Sequence, residues 1–553
     1  MNLLSLVLDR SVTRVSALRP FSLLSILLVL SSTVSFGQAL YLPVSHEVYP
    51  FLQRMESRGL LAEYRDAAKP LSRKTVAAHL KKLESATDRM TSVERATYEF
   101  LKAEFGYELL ALAGDPDPSE IRGHIFSFKL NEGIMNIDLV GKYTYSRSEG
   151  EPLRIQSHGA RTYGYAYKDI GFYFNFVDNR EVGKKFNISK NHTPDPGVIL
   201  TRSSANWIEY NTTEAQFTYQ AGEFELAIEK MQNVWGAGRR GNVILSTKAL
   251  SYPQFKLRVP LTSWMDFIYL HADLNSNVLD SSRSYKALSS SRADFYRPVY
   301  RQKYMAAHLI ELTPWRGVDF AIGESIVYSD KNPQFIYLIP IMFFKSAEHY
   351  NRDTDNAQIF GSLDLNLIRG LNFYATMFID EINTDALLNP NEVRNQIGYT
   401  LGIQTYDLPL ENLELLVEYS RLNPWAYSHK FPAATFTNNG YDLGHWIGQN
   451  ADNLFIDVKY TPFRSLHGGI FHERYRKGGR DDVVFQYSLP SKPFLYPPVH
   501  REQSTGVYSR YQFVREGFLE FRGRRITISD EAFPALNKQG ITELSVSISY
   551  GVW

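Results

Sequence analysis

Two stretches of this sequence concentrate side chains able to do chemistry. The first, LNPWAYSHKFPAATFTNNGYDLGHWIG at 422–448, sets Trp425, Tyr427, His429, Phe431, Tyr441 and Trp446 among the amides of Asn438 and Asn439. Flat apolar rings with a donor at the edge, interleaved with planar hydrogen-bonding groups, are what grips the C–H and O–H surfaces of a sugar. Trp425, Tyr427, His429, Tyr441 and Trp446 are therefore candidate glycan-binding residues. The same rings would serve equally to pack a loop or to form an aromatic girdle. The second stretch, FELAIEKMQNVWGAGRRGNVILS at 224–246, runs through Trp235 and a glycine-rich turn carrying Arg239 and Arg240. Adjacent guanidinium forks suit an acidic sugar or a phosphate. The simpler reading is a turn in which Gly236, Gly238 and Gly241 adopt conformations open to glycine.

Acids and bases are plentiful, among them His308, Glu311, Glu324, Glu348, His349, Asp355, Asp380 and Glu381. No phosphate loop, nucleophile elbow or paired-histidine zinc helix accompanies them. His472 and Glu473 in FHERYR stand on an alternating segment and point to opposite faces. Structural ion networks account for such groups better than a catalytic set, so neither an enzyme nor a cofactor or metal is expected.

The elements that must carry these residues are written in a period of two. In ITELSVSISYGVW, 541–553, Leu544, Val546, Ile548, Tyr550 and Val552 alternate with Glu543, Ser545, Ser547, Ser549 and Gly551. QIGYTLGIQ at 396–404, NLELLVEYS at 412–420 and NLFIDVKY at 453–460 follow the same rule. About 18 such segments, of the length a tilted strand needs to cross a bilayer, predict a transmembrane β-barrel with oily side chains outward. Leu401 and Val417 then face lipid and Thr400 faces the lumen, so arginine should be better tolerated at 400 than at 401. Asp138, Lys142, Glu414, Glu418, Asp457 and Lys459 would point inward, lining a selective pore or a salt-bridged plug. The last strand must pair with the first to leave no open edge in lipid, and Trp553 supplies a terminal aromatic, although on the polar parity.

Upstream, the period is helical. HEVYPFLQRMESRGLLAEY puts Val48, Phe51, Leu52 and Met55 on one face, with Gly59 to end the helix. Ser72 caps a second helix bearing Val76, Leu80 and Leu83, and Thr91 with Glu94 forms the capping box of a third, continuing to about Glu104. Three short helices bury little alone and should dock on the larger part. Residues 1–39 read as an export signal: Arg10, Arg14 and Arg19 precede an apolar run that ends among small residues. The expected division is a signal over 1–39, a helical bundle over 40–117 and a barrel over 118–553. With 60 basic and 59 acidic residues, a nucleic-acid partner is not expected, and with no cysteine the fold relies on hydrogen bonds and packing. A mean hydropathy of −0.28 is too polar for a helical membrane bundle.

Several stretches resemble the Wzi-like capsule-assembly proteins, a family of bacterial outer-membrane barrels. They are VWGAGRRGNVILS at 234–246, MAAHLIEL at 305–312, AIGESIVYSDKNPQFIYLIPIMFF at 321–344, GYDLGHWIGQNADNLFIDVKY at 440–460 and the helical PLSRKTVAAHL at 70–80. The resemblance implies an all-β barrel of about 18 antiparallel strands with an N-terminal helical bundle at its periplasmic end. It also implies a non-enzymatic, lectin-like role in holding capsular polysaccharide at the cell surface, with outer-membrane lipid as the surrounding partner. A diffusion porin of the outer membrane is the alternative reading.

Overall fold

The computed structural model describes residues 39–114, 124–130, 133–167, 169–289, 292–382, 395–488 and 490–551. Val552 and Trp553 lie outside these residues, as does all of the export-signal stretch except Ala39. Among the described residues, eighteen long antiparallel strands close into a barrel. They are β1 Gly133–Ser148, β2 Glu151–Ala166, β3 Ile170–Gly183, β4 Trp207–Ala221, β5 Phe224–Met231, β6 Tyr252–Thr262, β7 Met265–Leu279, β8 Tyr300–Trp315 and β9 Val318–Ser329. The others are β10 Asn356–Ile368, β11 Leu371–Glu381, β12 Gln396–Tyr406, β13 Leu413–Leu422, β14 Ala451–Phe463, β15 Leu466–Lys477, β16 His500–Val514, β17 Gly517–Asp530 and β18 Lys538–Tyr550.

The alternation read from the sequence decides which way each side chain points. On β18, Leu544, Val546 and Ile548 are exposed on the outer wall while Ser547 and Ser549 are buried inside. β18 closes the ring against β1, from Glu543 opposite Ser148 to Tyr550 opposite Gly141, with the Thr144 and Ser547 hydroxyls 2.6 Å apart. A short strand, Phe126–Leu130, takes over as the partner of β1 below that point, pairing with Gly133–Ile137. The ladder is thereby continued where an edge would otherwise face lipid.

The two rims differ. One carries tight turns, such as those at Gly222, Gly317, Gly370 and Glu516, all with positive φ, and a ring of exposed aromatics that includes Tyr167, Tyr219, Trp264, Trp315 and Phe463. The other carries the long connections, among them 184–206, 330–355, 423–450 and 478–499.

The helices sit at the short-turn rim. Helix α1 is Val48–Ser57, α2 Arg73–Leu83, α3 Ser92–Glu104 and α4 Gly106–Leu112. The caps are those expected: Ser72 accepts from Thr75 N, and Thr91 with Glu94 completes a capping box. α4 was not anticipated; Phe105, between α3 and α4, leaves helical geometry and redirects the chain. The bundle docks through charge. Arg54 meets Glu94 at 2.8 Å, Asp407 at 2.6 Å and Glu414 at 3.2 Å. Inside the wall, Arg258 meets Asp266 at 2.8 Å and Glu311 at 2.9 Å, and Glu311 also accepts from Ala68 N. Gln216 holds both backbone groups of Tyr41.

The lumen above the bundle is filled. Between β5 and β6 the chain leaves the wall and turns inward, pairing Val234–Trp235 with Ala68–Lys69. The 423–450 connection folds inward to meet it. Trp235, Val243, Ile244 and Leu245 pack with Tyr427, Phe436, Leu443 and Ile447 against the inward side chains Leu270, Met305, Phe360 and Phe378. The milder outcome expected for arginine at Thr400 is therefore corrected: Thr400 is fully buried and bonded to the Ser420 hydroxyl at 2.8 Å, leaving no water-filled space for a charge.

On the outside, the 330–355 connection folds back over the wall. Tyr337, Phe344 and Ala347 cover Phe267, Tyr269, Ala306, Ile326 and Tyr328, so the upper half of β9 is buried on both faces. Glu324 takes the Phe344 and Lys345 amides and lies 3.1 Å from His308. Asp355 is held by Lys331 and the Tyr337 hydroxyl, and Asp380 by Tyr427 N. These acids and bases are parts of the framework.

Candidate functional site

The Trp-Gly turn is positioned by one carboxylate. Glu418, inward on β13, accepts the backbone N–H groups of Arg239 at 2.5 Å and Arg240 at 2.9 Å, together with the Tyr374 hydroxyl at 2.6 Å. Of the three glycines only Gly236 has positive φ, at 110°. Gly238 and Gly241 are required by close approach instead: a Cβ would fall 2.0 Å from Gly241 O and 2.6 Å from the His445 ring respectively.

Both arginines spend their forks inside the barrel. Arg239 donates to Ala237 O at 2.6 Å, reaches Asp364 at 3.4 Å and lies over the Tyr374 ring. Arg240 grips Glu473 with two bonds, 2.7 and 2.6 Å, and lies over Phe455. Paired forks fix a guanidinium in direction as well as position.

The aromatic candidates separate. Trp425 is 1% exposed, donates its backbone N–H to Gln449 Oε1 and stacks on Tyr496. Tyr427 is buried with its hydroxyl on Val243 O. Tyr441 is half-buried, bonded to Val198 O with Lys248 over its ring. His429 is half-buried beside Phe431, and burial holds its imidazole down at about 4. Their stretch turns into the lumen mouth, so these rings do not offer open faces at the surface. Trp446 differs, because with Arg240 it borders a cavity of about 480 Å3 at the long-loop end of the lumen.

One wall of that cavity is an aromatic row. Trp446 and Tyr475 lie 5.1 Å apart, Tyr475 and His192 5.5 Å, and His192 stacks on His500 at 4.4 Å. Trp446 Nε1 donates to Arg240 O, which fixes the indole plane, and His192 Nδ1 lies 3.1 Å from the Tyr475 hydroxyl. Burial, then the neighbouring His500 and Lys477, depress the His192 imidazole to about 4, so the ring is neutral near pH 7. The lining also carries planar charged pairs, Arg240 with Glu473 beside Tyr475 on β15, and Arg524 with Glu543. Each pair is internally neutral yet keeps unused lone pairs and N–H groups at the cavity edge.

Tyr475, His192, His500 and Arg524 are not singled out in the sequence, where Glu473 stands only as the opposite-facing neighbour of His472 and Glu543 only as a polar-parity residue of the last strand. Strand parity could have flagged Tyr475, two residues beyond the inward Glu473. No local signal brings residue 192 to residue 500.

The family model of the capsule assembly protein Wzi matches residues 148–487. Among solved structures, the chain resembles Escherichia coli Wzi, described as an outer membrane protein involved in group 1 capsule assembly and a carbohydrate binding β-barrel. The TM-score is 0.56 at 10% identity, covering 93% of this chain and 100% of that one. Pseudomonas aeruginosa OprD gives 0.39 at 10% identity over 75% and 94% of the two chains. Acinetobacter baumannii OccAB2 gives 0.41 at 10% over 75% and 97%. No curated protein matches the sequence. With more than half of its length matched by that family model, this chain belongs to the capsule assembly protein Wzi family, β-barrels of the outer membrane.

Proposed function

We propose that this barrel is a non-enzymatic binder that holds surface polysaccharide during capsule assembly, with its long loops outside the cell and its helical bundle in the periplasm. Short turns on the periplasmic side and longer loops outside are the rule for such barrels, which supports the orientation. The observation that carries the binding role is the row Trp446–Tyr475–His192–His500 lining one open cavity together with the Arg240–Glu473 and Arg524–Glu543 pairs. Sugar C–H faces would lie on the indole and phenol rings, while ring hydroxyls exchange hydrogen bonds with the planar charged groups. Each contact contributes on the order of 1 kcal/mol. Many copies in one membrane holding one polymer multiply that through effective concentration.

The filled lumen weighs against solute diffusion, because the plug occupies the path between the bundle and the cavity. The test is polymer binding by the purified barrel, with Trp446→Ala and Tyr475→Ala singly and together. The double variant should lose about tenfold or more in apparent affinity, equal to about 1.4 kcal/mol, while keeping the slower gel migration on boiling that reports a folded barrel. Undiminished binding would reject the cavity. Ion conductance by the reconstituted wild type would revive the porin reading.

A further inference from the structure

The barrel wall is incomplete on one side. β5 ends at Met231 and β6 begins at Tyr252, and these two residues form the topmost pair between them. The residues that would have continued both strands upward turn into the lumen as the plug. Above that pair, β4 has a neighbour on this side only at 207–210, from the short strand Leu200–Ser204. β7 last meets β6 at Ala272, although it goes on pairing with β8 on its far side. Among the described residues, no strand fills the space between 211–214 and 273–275. Three strand spacings of about 4.8 Å put the two flanking strands roughly 14 Å apart.

The gap holds a cavity of about 730 Å3. Its lining draws on both faces of the same strands. Leu274 and Glu214 belong to the inward rows, whereas Thr213, Lys230 and Asp273 belong to the outward rows. A pocket confined to the lumen or to the outer surface would touch one row only, so this cavity passes through the wall. Its height follows from the outward rows beneath it. Phe217 on β4 and Ile228 on β5 are exposed and apolar; at the opening the same rows become Thr213, Asn211 and Lys230. The window therefore opens where the apolar belt gives way to the headgroup layer.

Its chemistry is that of hydroxyl recognition. Lys230 Nζ is tied across the sill, 2.6 Å from Thr213 O and 2.8 Å from Ser251 Oγ. Asn438 joins the far edge by accepting from Asn275 N at 2.9 Å and donating to Leu250 O at 3.2 Å. Tyr300, 42% exposed, presents a ring at the rim. Lys230 and Arg301 stand beside Glu214 and Asp273 among the amides of Asn175, Asn211, Asn275 and Asn438, and such an amide-rich lining, with no excess of basic over acidic side chains, suits a polyhydroxylated sugar better than a phosphate. Within the lumen, the 184–206 connection separates the window from the aromatic cavity. It is pinned by Lys248 Nζ, which donates to the carbonyls of Lys190, Thr193 and Asp195.

We propose that this lateral window is a second saccharide site, taking the headgroup sugars of a lipid-anchored glycan in the outer leaflet. The glycan enters from the side while its acyl chains stay in the membrane. This rests on the reading of the barrel as a glycan binder, but it assigns a different site and a membrane-bound source. Saccharide chemistry is common to free polymer and anchored glycolipid, and the position at headgroup height selects the anchored form.

The test uses the full chain in nanodiscs with two probes, lipopolysaccharide in the bilayer and delipidated polysaccharide in solution. Asn211→Trp combined with Asn439→Trp fills the window. Because the chain has no cysteine, Asn211→Cys blocked by a bulky maleimide after folding does the same without risk to assembly. Retention of lipopolysaccharide through detergent extraction should fall about tenfold or more, about 1.4 kcal/mol, in both blocked proteins, with soluble-polymer binding unchanged. The Trp446→Ala, Tyr475→Ala protein should show the reverse. Equal lipopolysaccharide retention by blocked and unblocked protein would overturn the proposal. So would a block that removes only soluble-polymer binding, since the window would then serve free glycan. Failure of the wild type to bind soluble polymer, with lipopolysaccharide retention still sensitive to the block, would instead sink the aromatic-cavity reading and leave the window standing.

Discussion

The two ends of the lumen are closed by different physics. At the short-turn end the contacts are ionic: one guanidinium, Arg54, answers three carboxylates, and Arg58 joins it on Asp407 and Glu94. At the long-loop end the filling is apolar: Leu245, Val243, Phe436 and Leu443 pack together. Buried ion pairs add little net stability but penalise any docking that leaves a charge unmatched. Apolar filling stabilises without specifying direction. The bundle end is thus suited to fixing one orientation of the helices. The loop end is suited to bulk closure with a cavity left above it.

The sharpest way to break this contrast is Arg54→Ala. It leaves Glu94 and Asp407 to Arg58 and Glu414 to Lys459, and should cost about 3 kcal/mol, the low end for removing one partner of a buried pair. The expected sign is rapid proteolysis within 40–114 while the strands stay protected. Leu245→Ala should cost about 2 to 5 kcal/mol through the cavity it leaves. Here the bundle should remain protected and hydrogen exchange should quicken in 232–251 and 423–450. If either variant loosened both ends equally, the two closures would be one cooperative unit.

A third test concerns the wall between them. Leu401→Arg, on the lipid side, should cost about 2 to 4 kcal/mol near mid-bilayer. Thr400→Arg should be at least as damaging, because Thr400 lies in a packed lumen. A higher folding yield for the 400 variant would mean that water reaches that position.

The smallest expected effect is one of acidity. Burial alone would raise the Glu104 carboxyl, but His46 at 2.7 Å, Arg73 and Arg515 overrule it and hold it at about 2. A folded value below the usual 4.5 adds stability that is complete above pH ~4.5 and is lost as pH falls towards 2. Protease sensitivity of the bundle should rise across that window, and Glu104→Gln should flatten the dependence. A bundle equally resistant at pH 2 and pH 6 would remove this contact from the docking energy.

What the sequence determined by itself is local and periodic. Leu544, Val546 and Ile548 against Ser547 and Ser549 fixed which face of β18 meets lipid, because side chains alternate on any extended chain. Ser72 and Thr91 marked helix starts because a cap is satisfied within three residues. The resemblance of 234–246 and 440–460 to known capsule-assembly barrels was likewise legible in contiguous residues. Only the tertiary structure decided that Arg239 and Arg240 turn inward to Glu418 and Glu473, that Trp425 and Tyr427 are buried while Trp446 borders open space, and that His192 stacks on His500. Those facts depend on how an aperiodic connection crosses a closed ring. The partners lie up to 308 residues apart, so no spacing within the chain encodes them until the eighteenth strand has met the first.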